Sequence, residues 1–197
     1  MKQRTHPARN VTIHCHPATP GRWKDLEALF GERGACGGCW CMAWRRMRAD
    51  WEEGKGSGNR RAFKSLVLRG KTPGIIAYEG TQPVGWCSVA PRMEFVFLAR
   101  SKVLAPIDVQ SVWSVSCLFV RREYRRRGVS TELLRAAAAF VRRKKGLIVE
   151  GYPVVPYAKR MPDAFAWTGT VKAFQKAGFR EVLRRSRSRP IMRISLD

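Results

Sequence analysis

One stretch constrains the fold more than any other. The apolar run Val112-Trp113-Ser114-Val115-Ser116-Cys117-Leu118-Phe119-Val120 breaks at the basic segment Arg121 to Arg127, and Gly128 then opens a helical pattern. A run of β-branched and aromatic residues of this length reads as a buried strand. From Gly128 to Lys144, Val129, Leu133, Ala137, Phe140 and Val141 recur on one helical face, with Glu132, Arg135, Arg142 and Arg143 elsewhere, so the helix can pack on a sheet. A buried strand feeding a glycine at a helix start is an anion-binding arrangement. The first turn's amides lack intrahelical partners, the helix dipole adds partial positive charge, and arginines at the mouth reinforce both.

The flanking segments place this unit in a mixed α/β chain. Val11 to Cys15 reads as a strand, and Thr19-Pro20 as the cap and first turn of a helix through Phe30. Ser57 can cap a second helix that stops at Gly70. Pro73 to Tyr78 and Val84 to Val89 read as a hairpin around Glu79-Gly80-Thr81-Gln82-Pro83, and Met93 to Ser101 as a short helix or turn. Leu147 to Tyr152 is a further strand ended by Pro153. Asp163 is expected to cap a helix carrying Phe165, Val171 and Phe174, stopped at Gly178, before strands at Glu181 to Arg185 and Ile191 to Leu196. A single domain over residues 1–197 follows, since neither a repeat nor a linker divides the chain.

Lys and Arg outnumber Asp and Glu 38 to 15, giving a formal net charge of +23 spread along the chain. Such a surface favours anionic partners. Phosphates of a cofactor, an acidic substrate and nucleic acid all fit; nucleic acid is not favoured, because no helix-turn-helix or zinc-finger pattern accompanies the charge. Met1 to Asn10 is basic with no apolar segment after it, and every apolar run falls well short of the roughly 20 residues of a spanning helix. A cytoplasmic protein without membrane association is expected, as a monomer or homodimer.

The six cysteines, at 15, 36, 39, 41, 87 and 117, read as reduced thiols. Cys36-x-x-Cys39-x-Cys41, with His14-Cys15-His16 upstream, invites a metal reading, but Cys39 and Cys41 are too close and no second ligand pair follows at zinc-finger distance. No metal is expected.

The spacing Arg125-x-x-Gly128-x-Ser130 directly after a strand resembles the pyrophosphate-binding signature of the GNAT superfamily of acyl-CoA-dependent N-acetyltransferases, and the element order resembles theirs over nearly the whole chain. The resemblance implies a mixed, mostly antiparallel α/β (α+β) sheet with helices on both faces. It also implies direct transfer of an acetyl group from acetyl-CoA, as cosubstrate, to an amine. Carried over by position, Leu118, Phe119 and Val120 would line the pantetheine arm, and Arg125, Arg126, Gly128, Val129 and Ser130 would hold the pyrophosphate. The segment Gly37 to Arg45 falls where GNAT folds form the acceptor-side lip, so Trp40, Trp44 and Arg45 are expected to bind substrate. The resemblance extends to a subgroup carrying Cys-Trp-Cys-Met, Glu-Gly-Tyr-Pro and Met-Pro-Asp-Ala-Phe-Ala-Trp-Thr-Gly, to which no substrate is attached.

Four positions depart from the family pattern. Ser130 stands for the usual Gly or Ala, and Arg122 replaces a frequent proline. Phe174, in Phe174-Gln175-Lys176-Ala177-Gly178-Phe179, stands where relatives often carry a tyrosine that protonates the leaving thiolate; Ser114 occupies the place of the glutamate base of histone-type relatives. Along Leu147 to Tyr152, period-two alternation puts Glu150 and Tyr152 on one face beside the central strand, which makes them the candidate base and acid. Pairing of Glu150 with an arginine is the competing reading; Tyr157 and Cys117 are weaker acid candidates. The acceptor is expected to be a primary amine of a small molecule. An aminoacyl-tRNA or protein amine, or a noncatalytic acyl-CoA-binding role, is the alternative.

Overall fold

A computed structural model describes residues 12–155 and 162–196. Seven strands, β1 (Ile13–Pro17), β2 (Gly74–Glu79), β3 (Gln82–Pro91), β4 (Trp113–Val120), β5 (Ile148–Gly151), β6 (Arg180–Arg184) and β7 (Pro190–Ser195), form one sheet in the order β1-β2-β3-β4-β5-β7-β6. Every pairing is antiparallel except β4 with β5. The mixed, mostly antiparallel sheet is the one expected.

Strand alternation sorts side chains to two faces. Ile75 and Ala77 of β2, Cys87 and Val89 of β3 and Val115 and Leu118 of β4 pack with helix α5 (Val129–Arg143), whose Val129, Leu133, Ala137, Phe140 and Val141 are all buried as their spacing predicts. Ile76, Tyr78 and Trp86 face the other way, onto α1 (Trp23–Phe30) and α3 (Ser57–Leu68) through Trp23, Leu26, Phe30, Phe63 and Val67. Between those helices lies the short α2 (Arg48–Glu53), which buries no side chain and therefore left no periodic signal. A third cluster gathers Trp44, Phe95, Leu98, Leu104, Tyr152 and Ile191 around α4 (Val96–Arg100).

Three helix expectations need correction, one of them the Ser57 cap: Ser57 is already the first residue of α3, Gly56 is the N-cap, and no side chain caps it. The first helix begins as a 3-10 turn at Pro20–Arg22, and the Thr19 side chain makes no cap bond there. The helix expected to run from Asp163 is two pieces: a 3-10 turn at Asp163–Ala166 and, after the positive-φ Gly169, α6 (Val171–Lys176), capped by Thr170 Oγ1 accepting from the Ala173 amide at 3.3 Å.

Candidate active site

The parallel strands separate soon after they meet. β4 and β5 pair only at Trp113 with Val149, Ser114 with Glu150 and Val115 with Gly151. Beyond that point β5 ends, while β4 carries a bulge opposite Ser88/Val89 that leaves Ser116 out of the β3 register, its Oγ donating to Ser88 Oγ at 2.9 Å. The segment after the 3-10 turn fills the wedge: the Leu118 amide donates to the Trp167 carbonyl at 2.6 Å, and Val154 bridges Thr170. Arg189 fastens it, donating to Thr168 Oγ1 at 2.7 Å and the Tyr152 carbonyl at 3.3 Å.

Gly151 has to be glycine at the last paired position. A β-carbon there would lie 2.1 Å from Cε1 of the buried Phe174 ring. Phe174 thus seals the wedge from the α6 side and packs edge-on against Phe179 at 4.9 Å. It has no hydroxyl to offer a departing thiolate.

A cleft of about 690 Å³ opens along the splayed edge. Its wall is formed by Leu118, Phe119 and Val120 of β4, the turn Arg125, Arg126 and Gly128, Val129, Ser130 and Thr131 at the start of α5, and Trp167, Gly169, Thr170, Lys172 and Lys176. All eight residues expected to hold the cofactor are among them. Arg126 and Gly128, both on the cleft lining, are left-handed, at φ +60° and +83°, the conformation from which backbone amides can build an anion-binding concavity. The first helical bonds run from the Thr131 and Glu132 amides to the Gly128 carbonyl, at 2.8 and 3.2 Å, so the Val129 and Ser130 amides precede the ladder. Nothing lies within 4 Å of a β-carbon built on Gly128. Space and donors therefore coincide where an anionic group would sit.

Charge agrees with this geometry. Among the described residues the lining carries Arg125, Arg126, Lys172 and Lys176 and no carboxylate. Arg125 also braces the turn, its Nε donating to the Val120 carbonyl at 3.1 Å. The sequence reading missed Lys172 and Lys176; their i, i+4 spacing puts them on one face of a helix, but only the fold turns that face to the cleft.

Glu150 and Tyr152 share a face as expected, yet they lie in a closed polar network and not on the cleft lining. Glu150 is 1% exposed, with Oε1 accepting from Arg92 at 2.9 Å and from the Tyr152 hydroxyl at 2.5 Å, and Oε2 accepting from Arg193 Nε at 2.7 Å. The competing expectation, a glutamate paired with arginine, is what the geometry displays. Tyr152 is fully buried, and its hydroxyl also meets Ser114 Oγ at 2.9 Å. Burial, then the adjacent Glu150 carboxylate, push its hydroxyl well above the usual phenol range, against the opposing pull of Arg92. Tyr157, the fallback acid, lies outside the described residues.

The acceptor-side residues are also packed inward. Trp40 joins the α1/α3 cluster, stacked on Trp23 at 6.0 Å, whereas Trp44 stacks on Phe97 at 4.9 Å and meets Trp167 and Tyr152 at 5.5 and 5.6 Å. The Arg45 guanidinium pairs with Glu94 at 2.9 Å and lies over Phe95. The expected single wall of two tryptophans and an arginine is therefore split between two clusters; Trp44, through Trp167, reaches the cleft. Among the described residues no group of three or more His, Cys, Asp or Glu could hold a metal ion, and no helix is long and apolar enough to cross a membrane.

Solved structures that share this fold include three acetyltransferases. PaiA N-acetyltransferase from Thermoplasma acidophilum, in complex with coenzyme A, superposes with a TM-score of 0.52 at 13% identity, over 93% of this chain and 99% of that one. An apo variant of agmatine N-acetyltransferase gives 0.56 at 12% identity, over 93% and 99%. A GNAT-family acetyltransferase from Streptococcus agalactiae gives 0.54 at 14% identity, over 94% and 96%. No curated protein matches the sequence. The model of the Acetyltransferase (GNAT) family matches residues 40–155, which span β2 to β5 and with them the splay, the turn and the start of α5. With the family's strand-to-helix turn in place, the chain belongs to the GNAT family, as an acetyltransferase that uses acetyl-CoA.

Proposed function

We propose that the chain, as a single domain over residues 1–197, transfers an acetyl group directly from acetyl-CoA to a primary amine of a small molecule. The observation that carries the reading is the left-handed Gly128 at the start of α5, open at its α-carbon, at the end of the one strand that leaves its parallel neighbour. In this reading the Val129 and Ser130 amides, Arg125 and Arg126 hold the pyrophosphate. Leu118, Phe119 and Val120 flank the pantetheine arm, and Lys172 and Lys176 supply charge for a further phosphate.

Chemistry at the thioester rests on position more than on a dedicated acid and base. Ser114 and Phe174 offer neither, and the Glu150 oxygens are held by Arg92 and Arg193. We read Glu150 and Tyr152 as positioning residues that fix the end of β5 against β4 at the mouth of the splay. Holding amine and thioester in contact distance supplies much of an acyl transfer's acceleration. The packed aromatic boundary of Trp44, Phe97 and Trp167 suits a small acceptor more than a polymer, and agmatine N-acetyltransferase, a small-amine enzyme by its name, shares the fold. The Cys-Trp-Cys-Met and Glu-Gly-Tyr-Pro segments mark the subgroup we assign.

A panel of primary amines with acetyl-CoA, read by release of free CoA thiol, tests this. Turnover with a small amine is expected. Exclusive turnover with aminoacyl-tRNA or peptide N-termini would overturn the small-molecule acceptor, and tight CoA binding without turnover on any amine would overturn the catalytic reading.

A further inference from the structure

The parallel pair β4/β5 has a second end. Where Trp113 and Ile148 begin the two strands, away from the splay, a groove of about 870 Å³ opens that shares no lining residue with the cleft beside α5. Its walls are largely apolar, built from Met93, Pro106, Val112, Trp113, Leu147 and Ile148. Met93 is 90% and Leu147 65% exposed, and Val109, beside the lining residue Gln110, is fully exposed. Apolar side chains left in water around one concavity mark a surface that a partner covers.

The end of α5 puts positive charge on this groove. The Gly146 amide donates back to the Val141 carbonyl at 2.9 Å, and Lys145 turns left-handed at φ +60°, where glycine is the usual residue. Gly146 has to stay bare, since a β-carbon on it would lie 2.4 Å from Val141 Cγ1 and 2.7 Å from Trp113 Nε1. The helix end is thus locked onto Trp113, and Lys144 and Lys145, both exposed, join the lining. Among the described residues neither lysine has a carboxylate partner, and the lining contains no carboxylate. The acids nearest in sequence, Glu94, Asp108 and Glu150, are held by Arg45, Arg193 and Arg92 at 2.9, 2.5 and 2.9 Å.

We propose that this groove docks an acidic segment of another protein, its carboxylates on Lys144 and Lys145 and its aliphatic side chains against Met93 and Leu147. Charge selects the occupant. A second copy of this chain, at +23, would bring like charge to the lysines. Nucleic acid would meet the cations but little to stack on, because Trp113, the aromatic residue of the lining, packs edge-on against Phe140 at 5.9 Å. An acidic stretch that carries leucines matches both the lysines and the apolar walls. The groove also backs onto the buried network, since Arg92 belongs to its lining and donates to Glu150 and to the Tyr152 hydroxyl. The occupant would therefore touch the residue that holds the end of β5 in place.

The test follows the anisotropy of a labelled peptide of alternating glutamate and leucine, titrated with the native full-length chain at about 150 mM salt and excess CoA, which keeps the other basic cleft filled. The leucine peptide should bind at least roughly 10-fold more tightly than a glutamate–serine peptide of equal charge. Met93→Ser with Leu147→Ser should erase that preference. Lys144→Glu with Lys145→Glu should weaken the leucine peptide by roughly 10-fold or more, whereas the same charge change at the exposed Lys24 and Lys64, on α1 and α3, should cost less than about 2-fold. Met93 and Leu147 lie in water, so their variants should fold; the comparison of the two peptides on the native chain decides even if they do not. Equal binding of both peptides, equal losses from both charge reversals, or no binding of the leucine peptide up to about 1 mM would overturn the proposal. So would a single-stranded oligonucleotide that binds more tightly and is lost with the same two lysines. The readout needs no acceptor amine and is independent of the acceptor assignment.

Discussion

Replacing Glu150 by glutamine separates a positioning carboxylate from a catalytic one. The side chain is 1% exposed, and two guanidiniums contact it, Arg92 at 2.9 Å and Arg193 at 2.7 Å, themselves 14% and 10% exposed. The amide keeps the shape but removes the charge and turns an NH₂ toward one of the arginines, leaving buried positive charge without its partner. Breaking one side of a buried pair costs about 3–5 kcal/mol, a large share of the roughly 5–15 kcal/mol that stabilises a domain. With a urea slope of about 2 kcal/mol/M, the unfolding midpoint followed by tryptophan fluorescence should fall by roughly 1.5–2.5 M. Glu52→Gln breaks a pair with Arg48 whose side chains are 88% and 45% exposed, and should move the midpoint by less than about 0.3 M. Equal midpoints for the two variants would refute the buried-network reasoning. Unchanged stability with turnover down roughly 100-fold or more would return Glu150 to the role of base.

Other outcomes follow from the same geometry. Gly151→Ala drives a β-carbon into the Phe174 ring and should destabilise the fold by about 2–3 kcal/mol in thermal or urea unfolding; a neutral result would mean that the ring has room to move. Thr170→Ala removes the α6 cap and should cost about 1 kcal/mol by the same assay. Charge reversal of Lys172 and Lys176 should weaken CoA binding by roughly 10-fold or more at low salt and less at high salt, as a screened electrostatic contribution requires. Binding of nonspecific RNA or DNA should fade steeply between about 50 and 200 mM salt, and selective tRNA binding that survives would promote the aminoacyl-tRNA acceptor.

Local pattern sufficed where one element carried its own signal. The β4-turn-α5 unit was legible because a buried strand, a glycine and an amphipathic helix follow one another without interruption, and each is read from neighbours in sequence. Glu150 and Tyr152 show the limit: alternation puts them on one face, but what they meet there, Arg92 from the turn after β3 and Arg193 from β7, is decided by strands distant in sequence. Trp40 and Trp44 sit in a loop with no period, so nothing in the sequence could assign them to separate clusters. The break before α6 was hidden because Phe165, Val171 and Phe174 fit a single helix until Gly169 takes its left-handed turn.

The central claim is that CoA binds with its pyrophosphate over the turn from Arg125 to Ser130, and titration calorimetry of CoA against the native chain and Gly128→Glu tests it most directly. Glutamate would place a carboxylate in the open space at Gly128. The left-handed backbone itself costs a side-chain-bearing residue only about 1–2 kcal/mol, so a native circular dichroism spectrum should persist. The account predicts clear binding heat for the native chain and none for the variant at the same concentrations. CoA binding of equal affinity in the folded variant would contradict it.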